Sequence, residues 1–354
     1  VFEGAINGPA HYLYLVALSF QSFGASAGSI RLVNALFGVL TALAGYFVGR
    51  ELFDRRIGLV LAFLLAVSSW SITLSRLGMH STSTTPFFTL ATLASLLIGM
   101  RSGKLIHYAL AGLWLGLGLC FYTSFRLFVP VIGLFLLYSA FYQWRRRGGA
   151  PLSQRRFWLG VLALTAVTAL VIAPLVWFAY KQPDLFWSRV QDTFIFTGKS
   201  EAERLPVLWA NITKHLMMFN WRGDPNGRHN LPGAPMLDDL SGLLMVLGLA
   251  YSLWRWRDPR YALLPVWLGI TLLGGILSLD FEAPQSLRAN GSLGAAYVLA
   301  VVPLAVLLRA WETSDGRWLR RWVWWPVALL LGVATFANVD RYFNQQANDF
   351  STWA

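Results

Sequence analysis

Long apolar runs, each closed by a short polar or cationic stretch, set the pattern of this chain. A bilayer core of about 30 Å needs about 20 helical residues. Ten runs reach that order of length, at 30–49, 57–75, 84–100, 106–122, 127–143, 157–180, 239–254, 260–278, 287–309 and 322–339, those at 127–143 and 239–254 being short. The stretch HYLYLVALSFQSFGA at 10–24 is also apolar but is bounded by Gly8-Pro9 and Gly24. It is too short for a comfortable crossing and reads as a helix lying in the membrane interface. Gly45 and Gly49, and again Gly112 and Gly116, stand four residues apart, a spacing that lets two helices pack closely.

Composition places the runs in a membrane. The 354 residues are 56% hydrophobic and 13% charged, against about 25% charged for a soluble chain. The net charge of +12 would suit nucleic acid, but the cations crowd the short connections between apolar runs. Five alternate connections hold 17 of the 29 Lys and Arg residues, while the opposite segments hold the other 12 and 12 of the 17 acids. That bias puts the five connections in the cytoplasm and both ends of the chain outside. Nucleic acid is therefore not an expected partner. The chain opens at Val1 rather than Met, and a start in the cytoplasm would need one further helix, so the native N-terminus is expected upstream. Cys120 is the single cysteine, which excludes both a disulfide framework and a cysteine zinc site.

The expected organisation follows. Residues 1–29 are the remainder of a first external loop with its interfacial helix, and 30–180 carry the first membrane helices. A long external loop covers 181–238, further membrane helices 239–339, and an external tail, expected to be truncated, 340–354. Long loops in compact proteins are usually functional. In this one Leu208, Trp209, Ile212, Leu216 and Phe219 recur at near-helical spacing, which predicts a helix folded back on an apolar surface. NWRGDPNGRHNLPGAPMLDD after it is turn chemistry.

No Walker loop, GxSxG elbow or HExxH motif occurs, and no two histidines have metal-ligand spacing on one helix. What the outer side offers is charge at the ends of spans: Arg76, Arg126 and Arg288, with Arg222, Asp224, Arg228 and His229 in the long loop. Each arginine alone is accounted for by snorkelling to headgroups. Several on one plane would suit a phosphate, which a guanidinium binds as a fork. Asp224 beside Arg222, Arg228 and His229 also suits a local turn or ion pair, and Asp280 and Glu282 are placed to pair with Arg288.

Four strings, in order, carry a family resemblance. They are IRLVNALFGVLTALAGYFVGRELFDRRIGLVLAFLLAVSSWSITLSRLG, GLWLGLGLCFYTSFRLFVPV, FNWRGDPNGRHNLPGAPMLDDLSGLLMVLGLA and APQSLRANGSLGAAYVL. Together they resemble the bacterial dolichyl-phosphate-mannose-protein mannosyltransferase-like glycosyltransferases, the family 39 or ArnT-like group with the GT-C membrane fold. The resemblance implies an all-α polytopic bundle of about ten visible transmembrane helices with interfacial helices in the external loops.

It also implies an enzyme of the inner or plasma membrane, working on the face away from the cytoplasm. Such an enzyme moves a sugar from a polyprenyl-phosphate donor to a lipid, glycan or protein acceptor. The first external loop of the family carries an acidic pair serving as base or as a site for a divalent metal ion; the acid of that loop visible here is Glu3. Where relatives have Glu-Pro, this chain reads Pro9-Ala10-His11, and where they often have a second Arg after Arg76 it has His80. Arg76, Arg126 and Arg288 would hold the lipid phosphate, and Arg222–Asn230 would close the cavity from above. Two other readings stand beside this one: a non-catalytic membrane subunit on the same fold, and a lipid or solute transporter. The near absence of charge within the spans argues against coupled transport.

Overall fold

The structure, a computed structural model, describes residues 10–78, 81–146, 151–312 and 324–352. Among these residues the chain is helical apart from turns and one isolated bridge, Phe194 with Ser278. In chain order the helices are α1 His11–Phe23, α2 Ala27–Leu52, α3 Arg55–Val67, α4 Ser69–Arg76, α5 Thr85–Ser102, α6 Leu105–Phe121 and α7 Phe128–Arg146. They continue with α8 Pro151–Lys181, α9 Pro183–Thr193, α10 Glu201–Met217, α11 Asp239–Trp254, α12 Pro259–Ile276, α13 Ser292–Glu312 and α14 Trp324–Val339.

Among the described residues each apolar run falls mainly on helix, although 287–291 of the run 287–309 form turns ahead of Ser292. Among the described residues six helices have the length and apolarity to cross a membrane alone, α2, α8, α12, α13 and the helices at 81–102 and 123–145. A seventh span is the pair α3 and α4, bent by 56° where the run 57–75 suggests one straight helix. The bend has a chemical cause. Ser68 leaves the helical region and its hydroxyl takes over as cap, accepting from the Ser71 N–H at 3.2 Å. The Ser69 N–H donates instead to Asn338 Oδ1 of α14 at 2.8 Å, and Asn338 Nδ2 donates to Asp238, the N-cap of α11, at 2.8 Å. Irregular backbone at membrane depth survives only where protein satisfies it, and here three helices do so.

The glycine spacings mark crossings. A Cβ on Gly49 would lie 2.9 Å from Gly58 Cα, so α2 and α3 touch through backbone. One on Gly112 would run into the Leu164 carbonyl of α8. Helix starts are capped by the residues expected of them: Ser26 for α2, Asp54 for α3, and a Ser200–Glu203 capping box for α10. The core runs from Leu52, Ile57 and Leu61 through Leu93 and Leu96 to α13, whose residues 295–302 are all buried. α1 buries Tyr12, Val16 and Ser19 and leaves Leu13, Tyr14 and Leu18 exposed, the two-sided pattern of a helix lying along the bundle.

The loop at 181–238 lies folded on the bundle. Its helix α10 turns Leu208, Asn211, Ile212 and His215 inward, and Met218 and Phe219 beyond its end are buried, while Trp209 and Leu216 are exposed. The covered stripe is thus partly polar. Asn211 and His215 are drawn in because they bind backbone groups at the end of α12 and beyond, information that apolar spacing does not hold.

Candidate functional site

The connection between α12 and α13 is the spine of one end of the bundle, and α10, Lys199 ahead of it and the turn-rich segment after it are tied to it. Asn211 Nδ2 donates to the carbonyls of Ile276 and Ser278, both at 3.1 Å, satisfying the open end of α12. His215 Nε2 accepts the Gln285 N–H at 3.1 Å, so its Nδ1 carries the proton and donates to the Asn211 carbonyl at 2.8 Å. Burial holds His215 below the usual histidine range, against the opposing pull of that carbonyl. Lys199 pairs with Asp280 at 2.9 Å and holds that carboxyl below its usual range, chiefly through their hydrogen bond.

Asp224 fastens the turn-rich segment to the same spine. It is 1% exposed. One oxygen accepts the Ser286 N–H at 2.8 Å and the Ser286 hydroxyl at 2.7 Å, with His229 Nδ1 at 3.3 Å; the other accepts the Asn226 N–H at 2.9 Å. A carboxylate so fully engaged is a clamp. His229 is buried against it, while Arg222 and Arg228 are exposed. Arg222 lines a cavity of about 420 Å³ with Lys214, Trp221 and Pro284.

The three span-end arginines have different partners. Arg288 pairs with Glu282 at 3.2 Å and donates to the Ser278 hydroxyl; Asp280, the other expected partner, is taken by Lys199. Arg126 lies in a short 3₁₀ turn, Thr123–Leu127, that joins α6 to α7. Its guanidinium carbon stands 4.1 Å from the Phe186 ring centroid and 5.4 Å from that of Trp187, both on α9. Its Nη1 atom is buried and meets no hydrogen-bond acceptor among the described residues. Arg126 and Arg288 share a neighbourhood, since a Cβ on Gly274 of α12 would meet both the Arg288 carbonyl, at 2.6 Å, and Ser124 Cβ, at 3.3 Å. Arg76 is set against the tail, 5.6 Å from the centroid of Tyr342. Glu3 and His80 lie outside the described residues.

One polar cluster escaped sequence reasoning. The turn Ser81–Thr84 and Thr85 after it enter α5, and Thr82, Ser83, Thr84 and Thr85 are buried. Asn290, two residues after Arg288, donates to the Thr82 carbonyl. The side-chain oxygens of Thr82, Ser83 and Thr85 have no hydrogen-bond partner among the described residues. The signal was the string STSTT ahead of Pro86, five polar residues at the end of a span with no charge to explain them. No group of three or more His, Cys, Asp or Glu is assembled for a metal ion among the described residues.

The described residues form an all-helical polytopic bundle with one broken span, a loop strapped over one end and a polar spine beneath it, a fold similar to that of solved membrane proteins. The comparisons agree. Residues 7–178, just under half of the chain, match the family model described as dolichyl-phosphate-mannose-protein mannosyltransferase, the family that the first two of the four strings, which lie in this stretch, resemble. The Archaeoglobus fulgidus oligosaccharyltransferase in its apo form superposes with a TM-score of 0.60 at 17% identity, over 97% of this chain and 48% of that one. The same archaeal enzyme, AglB, in complex with an inhibitory peptide and a dolichol-phosphate, gives 0.59 at 18% identity, over 97% and 47%. ArnT from Cupriavidus metallidurans bound to undecaprenyl phosphate gives 0.51 at 13% identity, over 97% and 66%. The chain thus spans under half the length of the archaeal enzyme. A search of curated proteins returns no match.

Proposed function

We propose that this chain is the membrane part of a glycosyltransferase of the cell membrane that moves a sugar from a polyprenyl-phosphate carrier to an acceptor on the face away from the cytoplasm. The observation that carries the reading is Arg126. A half-buried guanidinium set against two aromatic rings, whose buried Nη1 meets no acceptor among the described residues, is prepared for an anion. The family match and the fold shared with proteins solved with dolichol-phosphate and undecaprenyl phosphate support a lipid phosphate as that anion.

In the reaction the bond from the anomeric carbon to the phosphate oxygen breaks, and the lipid phosphate leaves with the electron pair. The acceptor hydroxyl oxygen bonds to the anomeric carbon, and its proton passes to a carboxylate, for which Glu3 is the candidate. Arg126 acts on the leaving group, whose negative charge grows as the bond breaks. Arg288, whose charge is balanced by Glu282, adds N–H donors rather than net charge. The hydroxyl turn at 81–85 offers uncharged donors for sugar or phosphate oxygens. The segment 222–230, clamped through Asp224, covers the site from above, and the cavity beside Arg222, Lys214 and Trp221 suits the entry of a polar acceptor.

Sugar transfer from labelled polyprenyl-phosphate donors by the full chain in proteoliposomes tests this reading. Arg126→Ala is expected to lower transfer about 100-fold or more, the scale of losing one donor to developing charge, and Arg126→Lys to restore part of it. Undiminished transfer by a well-folded Arg126→Ala protein overturns the assignment. Absence of transfer by the unaltered chain with every donor tried favours the non-catalytic subunit.

A further inference from the structure

At the end of the bundle away from the spine, α7 and α12 pack side by side and leave a groove between them. Its deeper part, about 270 Å³, is walled by Leu134 and Phe135 of α7 and by Ala262 and Val266 of α12. It shares Tyr138 and Trp256 with a second cavity of about 380 Å³, whose further lining includes Tyr142, Arg145 and Arg257. The two therefore make one amphiphilic groove, apolar between α7 and α12, joined at Tyr138 and Trp256, and cationic at the end that holds Arg145 and Arg257. The Tyr138 hydroxyl fixes the junction, bonding the Trp256 carbonyl at 3.2 Å with the Arg257 carbonyl at 3.4 Å.

The cations at the mouth differ from their neighbour. Arg260 is held by Asp258 through two contacts, 2.8 and 3.2 Å, and is spent as a ligand. Arg145 and Arg257 have no carboxylate partner among the described residues; Arg145 only stands 5.9 Å from the Phe141 centroid. Trp144, Trp254 and Trp256 are exposed around them, the aromatic residues that favour the headgroup level of a bilayer. This end also carries the connections whose cations mark the cytoplasmic side, where the leaflet is negatively charged and basic pockets between helices take acidic headgroups.

We propose that this groove binds an anionic glycerophospholipid of the cytoplasmic leaflet, with an acyl chain between α7 and α12 and its phosphate on Arg145 and Arg257. A polyprenyl phosphate has the same two parts, but the proposed donor site lies at the opposite end of the bundle, and the cation count places this mouth in the other leaflet. The groove ties the end of α7 at Arg145 and the connection 255–258 to the membrane surface and needs no catalytic residue.

The test is a titration of the full purified chain in neutral detergent with phosphatidylglycerol, phosphatidylcholine or undecaprenyl phosphate, read by native mass spectrometry. The unaltered protein is expected to bind phosphatidylglycerol at least tenfold more tightly than phosphatidylcholine. In Arg145→Gln with Arg257→Gln, the two near-surface charges lost predict binding about thirtyfold weaker, while Arg145→Lys with Arg257→Lys keeps most of it. Ala262→Trp, which fills the apolar depth and leaves the charges, is expected to weaken phosphatidylglycerol without changing sugar transfer. Equal binding of the two phospholipids, an unchanged affinity in the Gln variant, or tighter binding of undecaprenyl phosphate that the Gln variant loses each overturns the proposal; the first two leave the Arg126 assignment untouched, and the third moves the polyprenyl phosphate to this groove.

Discussion

Asp224 accepts its hydrogen bonds at a depth where an unpaired carboxylate is costly, and that cost makes it a clamp. Asp224→Ala leaves the Ser286 N–H and hydroxyl and the Asn226 N–H without their acceptor. Removing charge-assisted bonds of this kind costs about 1.5–3 kcal/mol each in gross terms. The expected result is a Tm several degrees lower and new protease cleavage within 218–238; an unchanged Tm and cleavage pattern would show that the clamp carries no load. His215 adds a pH dependence. Its folded pKa lies below the unfolded value, near 6.5, so the unfolded chain binds the proton more readily. Its contribution is complete above about pH 6.5 and is lost as pH falls toward the folded value, where Nε2 must take a proton and release the Gln285 N–H. His215→Gln should flatten the dependence of Tm on pH between about 5 and 7; a profile identical to that of the unaltered chain contradicts it. Sequence showed Asp224, Arg126 and Arg288 as chemistry in unusual places. It did not show Ser286 or Gln285, 62 and 70 residues from their partners, because a hydrogen bond across that separation leaves no periodic trace.

Apolar periodicity located helices at all ten runs, and the Gly45–Gly49 and Gly112–Gly116 spacings marked crossings with α3 and α8. The pattern could not show the break at Ser68, because serine and threonine also occur within continuous membrane helices and the freed N–H is met by Asn338, 269 residues away from Ser69. Asn338→Ala removes both that acceptor and the donor to Asp238. Losing two buried hydrogen bonds is expected to cost about 2–4 kcal/mol, seen as a lower Tm, whereas Asn338→Asp keeps the acceptor for Ser69 alone. An Ala variant as stable as the original would mean that water satisfies the break. For α10 the apolar spacing marked the helix and part of its buried side. Trp209 and Leu216 lie on a neighbouring exposed stripe because the polar Asn211 and His215 claim the contact with α12.

At the scale of the whole molecule, the cation count and the structure divide the bundle into two ends. The span-end arginines, the hydroxyl turn and the strapped loop share one end, and the amphiphilic groove of α7 and α12 opens at the other. In a Cys120→Ser background, a membrane-impermeant maleimide added outside intact cells is expected to label Glu201→Cys and not Arg255→Cys; the reverse pattern would invert the protein. The central claim is that the loop-covered end receives a lipid phosphate at Arg126. The most direct measurement is photo-crosslinking of the full chain with a polyprenyl phosphate carrying a diazirine on the isoprenoid unit next to the phosphate, followed by peptide mapping. Label on 122–128 and 183–193, reduced in Arg126→Ala, is the expected result. Label confined to α7 and α12 near Arg145 and Arg257, or label at 122–128 that Arg126→Ala leaves undiminished, would contradict it.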